Sequence, residues 1–237
     1  MIDDKVVTEN LKKTAFTLAE VLITLGIIGV VAALTLPSLI QNKQNKVLEA
    51  QFKKSYSIIS QAFLTVINED YGGIADFDVA DLSNLVNNLS KRYKDVSTIW
   101  PVLPDYPNNS DSARTDFLKG YYKNFTGKSG FTRFNDGIIQ INDGSTIYFD
   151  KDSVGSLTYG IILVALDVNG WRNKPNKYGY DFFVFTLEKD GKLVPMGGET
   201  SLYPEKSYCS KSSNSGANGY GCTVKALTDS KYFSNLK

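Results

Sequence analysis

The chain has 237 residues, 42% of them hydrophobic and 22% charged, with a net charge of +1. Such a length and balance suit a folded protein with one sizeable core, or two, and give no field that would attract nucleic acid or another polyanion. Histidine is absent, which excludes a His-dependent hydrolase and a His-rich zinc site.

From Phe16 to Leu36 the chain reads FTLAEVLITLGIIGVVAALTL, with Glu20 as its one charge. A helix of this length spans roughly 30 Å, the thickness of a bilayer core. Lys12 and Lys13 precede it, with Lys5 further upstream. The nearby acids Asp3, Asp4 and Glu9 count little for topology, so the N-terminus is expected in the cytoplasm and the C-terminus outside. Three readings compete. A secretory signal would cut near Val31-Ala32-Ala33, but the apolar run before it is long for one and carries an acid. A plain membrane anchor gives no reason for Glu20, because a carboxylate in a bilayer costs about 2.5 kcal/mol or more. The third reading accounts for the acid.

KKTAFTLAEVLITLGIIGVVAALTLPSLI closely resembles the N-terminus of type IV prepilins and type II secretion pseudopilins. In that family a prepilin peptidase removes a short basic leader on the cytoplasmic side, and the new N-terminal residue is N-methylated. The resemblance implies a cut between Ala15 and Phe16 and a methylated Phe16. It places Glu20 fifth in the mature chain, where the family has its glutamate, and Pro37 where the family has a helix-kinking proline. Ala15 departs from the glycine usual before the cut. The free amine of Phe16 supplies what Glu20 lacks, since a buried carboxylate is tolerable beside a positive charge. Within a filament such a pair, inside one subunit or between neighbours, fixes axial register.

Beyond Pro37, Leu48, Phe52, Tyr56, Ile59, Phe63 and Val66 recur at steps of three and four, the mark of an amphipathic helix. Lys43, Lys46, Lys53 and Lys54 lie among its polar positions, and Gly72-Gly73 ends the pattern. One helix is therefore expected from Phe16 to about Asp70, kinked near Pro37, with its first half in the membrane. A second helix is expected from Asp78 or Asp81 to Tyr93, with Leu82, Leu85, Val86 and Leu89 as its apolar stripe. Residues 95–135, with Pro101, Pro104 and Pro107, read as an irregular surface connection anchored by Trp100 and Phe117. GIIQINDGSTIYFD then reads as a hairpin turning at Asn142-Asp143-Gly144. Tyr159 to Val168 reads as a central strand, and YDFFVFTLEKDGKLVPM as a strand, a turn at Asp190-Gly191 and a short return. Strands that follow helices without alternation imply an α+β fold with an antiparallel sheet. The resemblance agrees, because pilins pack the long helix on such a sheet.

The expected organisation is a cleaved leader over 1–15, a transmembrane and assembly helix over 16–36, its amphipathic continuation over 37–72, and an exported α+β head over 73–237. Cys209 and Cys222 flank the loop SKSSNSGANGYG at 210–221. An exported head allows them to form a disulfide worth about 3 kcal/mol in the loop-entropy model, and the family often closes a C-terminal loop in this way. Two free thiols are the alternative. Between the last two long strands, Asp167, Asn169 and Asp181 either offer oxygens to calcium or close turns onto their own backbone. Trp171 stands where a calcium loop would carry its next acid, while the resemblance favours the metal, which major pseudopilins bind in the head. The sequence has no G-x-S-x-G, P-loop or C-x-x-C, so no enzyme is expected. The tyrosines, clustered at Tyr121-Tyr122 and Tyr178-Tyr180, read as half-buried surface residues.

Read together, these features point to a structural subunit of a type IV pilus-like or type II secretion filament. Its expected location is the inner membrane, single-pass with the N-terminus cytoplasmic, and then the filament. The expected partners are other pilin or pseudopilin subunits, prepilin peptidase, the inner-membrane assembly platform and the membrane itself, with no nucleic acid. No cofactor is expected beyond that calcium ion. The alternative is a membrane-tethered extracytoplasmic ligand-binding protein, which has no use for Glu20.

Overall fold

The computed structural model describes residues 16–71, 82–92, 96–99, 110–130, 133–152, 161–188 and 190–236. The chain divides into two compact units, Met1–Lys43 and Gln44–Lys237. Helix α1, Leu18–Asp70, begins in the first and ends in the second. The expected leader, with Ala15, lies outside the described residues, as do Trp100, the three prolines near it and the Gly72-Gly73 stop.

In the first unit α1 is apolar nearly all round. Its large side chains, among them Leu22, Ile28, Leu34 and Ile40, are exposed. Among the described residues α1 is the one helix long and apolar enough to cross a membrane. The helix continues through Pro37. Nearby hydroxyls turn back onto the backbone, Thr35 donating to the Val31 carbonyl at 2.9 Å and Ser38 to the Thr35 carbonyl at 2.9 Å. The bonds satisfy the hydroxyls themselves in a segment that offers few other polar partners.

In the second unit α1 becomes one-sided. Asn45, Leu48, Phe52, Ser55, Ile59, Phe63, Val66 and Ile67 are buried, at the spacing of one helical face. They meet a six-stranded antiparallel meander in which sequence order is spatial order. Its strands are β1 (Val96–Ile99), β2 (Gly137–Ile141), β3 (Thr146–Asp152), β4 (Ile161–Asp167), β5 (Phe182–Leu187) and β6 (Leu193–Pro195). Period-two alternation sends Ile147, Phe149, Val164, Leu166, Phe183 and Phe185 to the α1 side. Phe52 packs tilted against Phe183 with ring centroids 4.0 Å apart, and Tyr56 lies flat on Phe185 at 5.2 Å. Helix α2, Leu82–Arg92, adds Leu82, Leu85, Val86 and Leu89 to the same core, as expected.

The stretch 95–135 is not uniformly irregular. It carries β1 and also helix α3, Asp111–Tyr121. Ser110 caps α3 by accepting the Ala113 N–H at 3.2 Å. Helix α3 and the later loops cover the opposite face of the sheet with a second core. The tyrosines expected at the surface are its bulk: Tyr122, Tyr148, Tyr178 and Tyr220 are fully buried, around Phe134 and Phe182. The chain ends with two short helices, α4 (Glu205–Tyr208) and α5 (Thr223–Thr228). Its C-terminal residues lie on α1, the Asn45 amide donating to the Leu236 carbonyl at 2.9 Å.

Candidate functional site

The first candidate is the start of α1. Phe16 is 86% exposed. Thr17 and Glu20 form a reciprocal pair: the Thr17 N–H and hydroxyl each donate to Glu20 Oε2 at 2.8 Å, while the Glu20 N–H donates to Thr17 Oγ1 at 3.2 Å. This is a capping box, Thr-x-x-Glu, which satisfies helix-end donors on both partners. The acid in the apolar run therefore has a local role that does not depend on a neighbouring subunit.

The second candidate is the loop between β4 and β5, which brings Asp167, Asn169 and Asp181 together. Asp167 Oδ1 accepts the N–H groups of Gly170 at 2.8 Å and Asn169 at 3.3 Å. Its Oδ2 accepts the Tyr122 hydroxyl at 2.5 Å, and that hydroxyl also lies 2.9 Å from the Tyr148 hydroxyl. Asp181 accepts the Asn176 and Lys177 N–H groups, both at 2.7 Å, and its own carbonyl accepts the Val168 N–H at 2.9 Å. Each carboxylate closes a turn, and Asp167 also anchors the second core. Asn169 serves the loop through its amide nitrogen, which donates to the Lys174 carbonyl at 3.0 Å.

Calcium would need those carboxylate oxygens to converge on one point, yet each already faces the positive end of an N–H or O–H dipole. Among the described residues no group of three or more acids, histidines or cysteines is placed to hold a metal. The side-chain oxygens of Asn169 and Asn176, which are buried without a hydrogen-bond partner, are too few to complete a cage. As placed, Asp167, Asn169 and Asp181 are engaged in closing turns onto the backbone.

Burial dominates the acid–base character of this face. It pushes the Asp167 carboxyl up to about 7, against the pull of its Tyr122 and backbone donors. Asp181 is raised by burial and then by the Asp167 charge. Asp150, on β3, is raised to about 7 by burial and further by Asp136, with the Arg133 guanidinium 3.5 Å away opposing the shift. Folding therefore takes up protons between about pH 4, where such carboxyls ionise in an unfolded chain, and about pH 7. Stability is expected to fall as pH rises through that window. Thermal melts of the full chain in detergent at pH 5, 6, 7 and 8 should show a declining midpoint, with Asp150→Asn flattening the slope. A midpoint that climbs from pH 5 to 8 would mean that these acids are ionised and well paired.

The third feature is the bond between Cys209 and Cys222, which are 13 apart in sequence. It closes the expected Ser/Gly/Asn loop, and no cysteine is free.

Among the described residues, a helix long and apolar enough to cross a membrane leads into an α+β unit that is closed by a disulfide. The chain belongs to a family of unknown function, DUF6613, whose model matches residues 38–235. That match begins immediately after Pro37, so it covers the second unit and leaves out the apolar segment. No curated protein matches the chain, and no solved structure does.

Proposed function

We propose that this protein is a filament subunit of the pilin or pseudopilin kind, inserted through the first half of α1 and processed between Ala15 and Phe16. The observation that carries this reading is Glu20, a single carboxylate in an otherwise apolar helix whose side chains are exposed along the first unit. An acid there is costly in lipid and becomes useful once an α-amine stands four residues before it. The capping box supports the reading further, because it holds the carboxylate at the helix start, one turn from that amine. The fold is compatible: α1 lies on an antiparallel sheet, as in pilins, and the disulfide suits an exported head.

On this reading the chain meets prepilin peptidase at the cytoplasmic face, an assembly platform in the inner membrane, and other subunits in the filament. Intact-mass and N-terminal peptide analysis of the native protein should find a chain that begins at Phe16 with a methylated amine. An intact Met1 terminus, or a terminus at Leu34, would refute the processing step.

A further inference from the structure

The two sulfurs of the Cys209–Cys222 bond have unlike surroundings. Cys222 is 0% exposed and belongs to the main core. Gly179 lies directly over it, close enough that a Cβ on Gly179 would stand 2.9 Å from Cys222 Sγ. Cys209 is only partly buried, packed against the edge of that core, and it lines a cleft of about 470 Å³ together with Phe125, Lys211, Lys225 and Tyr232. An incoming thiolate thus has a route to one sulfur and none to the other.

The loop is also pinned independently of the disulfide. The Gly219 N–H donates to the Tyr208 carbonyl at 2.6 Å. Asn218, fully buried, accepts the Ser210 N–H at 3.1 Å and donates back to the Ser210 carbonyl at 2.8 Å. These bonds join the residues beside Cys209 to those just before Cys222. With the disulfide open, they keep the two thiols adjacent.

We infer that Cys209–Cys222 is a reversible dithiol–disulfide couple, with Cys209 as the sulfur that exchanges with an external thiol and Cys222 as the buried resolving thiol. The partner class is a dithiol–disulfide oxidoreductase of the compartment that holds the head. In the reductive direction the partner's thiolate attacks Cys209 Sγ, the Cys209–Cys222 bond breaks, and Cys222 leaves as a thiolate that takes up a proton. The partner's second thiolate then attacks its own sulfur in the mixed disulfide, releasing the Cys209 thiolate and leaving the partner oxidised. Oxidation runs the same steps backwards, with the Cys222 thiolate displacing the partner from Cys209. The inference rests on the exported-head reading only for the identity of the compartment.

Glutathione serves as the probe. The native full chain in detergent is incubated with it, quenched by alkylation and peptide-mapped. Glutathione is expected on Cys209 and the alkyl group on Cys222, with at least about tenfold more adduct at Cys209 than at Cys222. On removal of glutathione the bond is expected to re-form without denaturant. Three outcomes overturn the inference: adduct mainly on Cys222, no adduct on either cysteine until the head is unfolded, or re-formation only after unfolding and refolding. None of them bears on filament assembly, so this reading and the filament reading fail separately.

Discussion

On the proposed filament reading, Glu20→Ala is expected to reach the membrane at wild-type levels and to leave the head folded, yet to be at least about tenfold depleted from filaments, because it would strand the Phe16 amine without its counter-charge. Alanine alone does not isolate the cause. It also destroys the capping box with Thr17, a loss of about 1 kcal/mol to the helix start. Glu20→Gln separates the two effects. Glutamine fills the same capping-box position and its amide oxygen can accept from the Thr17 N–H and hydroxyl, so the helix start is preserved while the charge is removed. If the charge sets filament register, Gln is as depleted as Ala. If helix capping is what matters, Gln assembles normally and Ala does not. A tethered receptor would tolerate both variants. The readout is subunit recovered in sheared filaments, or crosslinked into ladders, at matched membrane levels. Normal incorporation of both variants would remove the physical argument for a filament subunit.

Period and local turn chemistry were enough to place much of the fold. The step of three and four from Leu48 to Val66 marked the buried face of α1, and Asn142-Asp143-Gly144 marked the β2–β3 turn. There Asp143 Oδ1 accepts the Ser145 N–H at 3.1 Å and Gly144 has a φ of 95°. Strands β4 and β5 announced themselves as dense apolar runs because both of their faces are covered. That double coverage was itself legible in the runs, but what covers the second face was not. Its lining comes from Tyr122, Tyr178 and Tyr220, which are far apart in sequence and lie in loops or short turns, with no period to group them. Tyrosine composition suggests surface residues. Only the fold reveals that hydroxyls such as that of Tyr122 find a buried acceptor in Asp167.

Two other signals were present and outweighed. Helix α3 and its C-cap carry Phe117/Tyr121 and Leu118/Tyr122 at four-residue spacing behind the capping Ser110, but the three prolines just upstream gave the whole stretch the look of a loop. The motif Thr17-x-x-Glu20 is a plain capping box, eclipsed because an acid in an apolar run invites an intermolecular explanation. In the loop after β4, the choice between calcium and turn closure turned on where the N–H groups point. Spacing does not encode that, since Asp and Asn serve both purposes.

Gly170→Ala is expected to be the most damaging single-methyl change in that loop. Gly170 has a φ of 79°, in the left-handed region, and a Cβ there would stand 2.0 Å from the Gly144 carbonyl oxygen. Backbone cannot swing aside as a side chain can, so the β2–β3 turn and the loop after β4 must separate. Separation would pull the Gly170 N–H from Asp167 and loosen the Tyr122 anchor with it. A cost of about 3 kcal/mol or more is expected, which lowers the melting midpoint by about 6–12 °C for a chain of this size. Gly144→Ala isolates the backbone term. Gly144 also has a positive φ, 95°, but its added methyl would meet the nearest atom at 3.8 Å, ordinary contact, so only the conformational cost of about 1 kcal/mol applies. Gly198→Ala is the neutral control, because its Cβ would meet nothing within 4 Å and its φ lies outside the left-handed region. The expected order of damage is therefore Gly170, then Gly144, then Gly198. Equal losses at Gly170 and Gly144 would mean that the two turns do not touch and that Asp167 holds its loop without help from the hairpin.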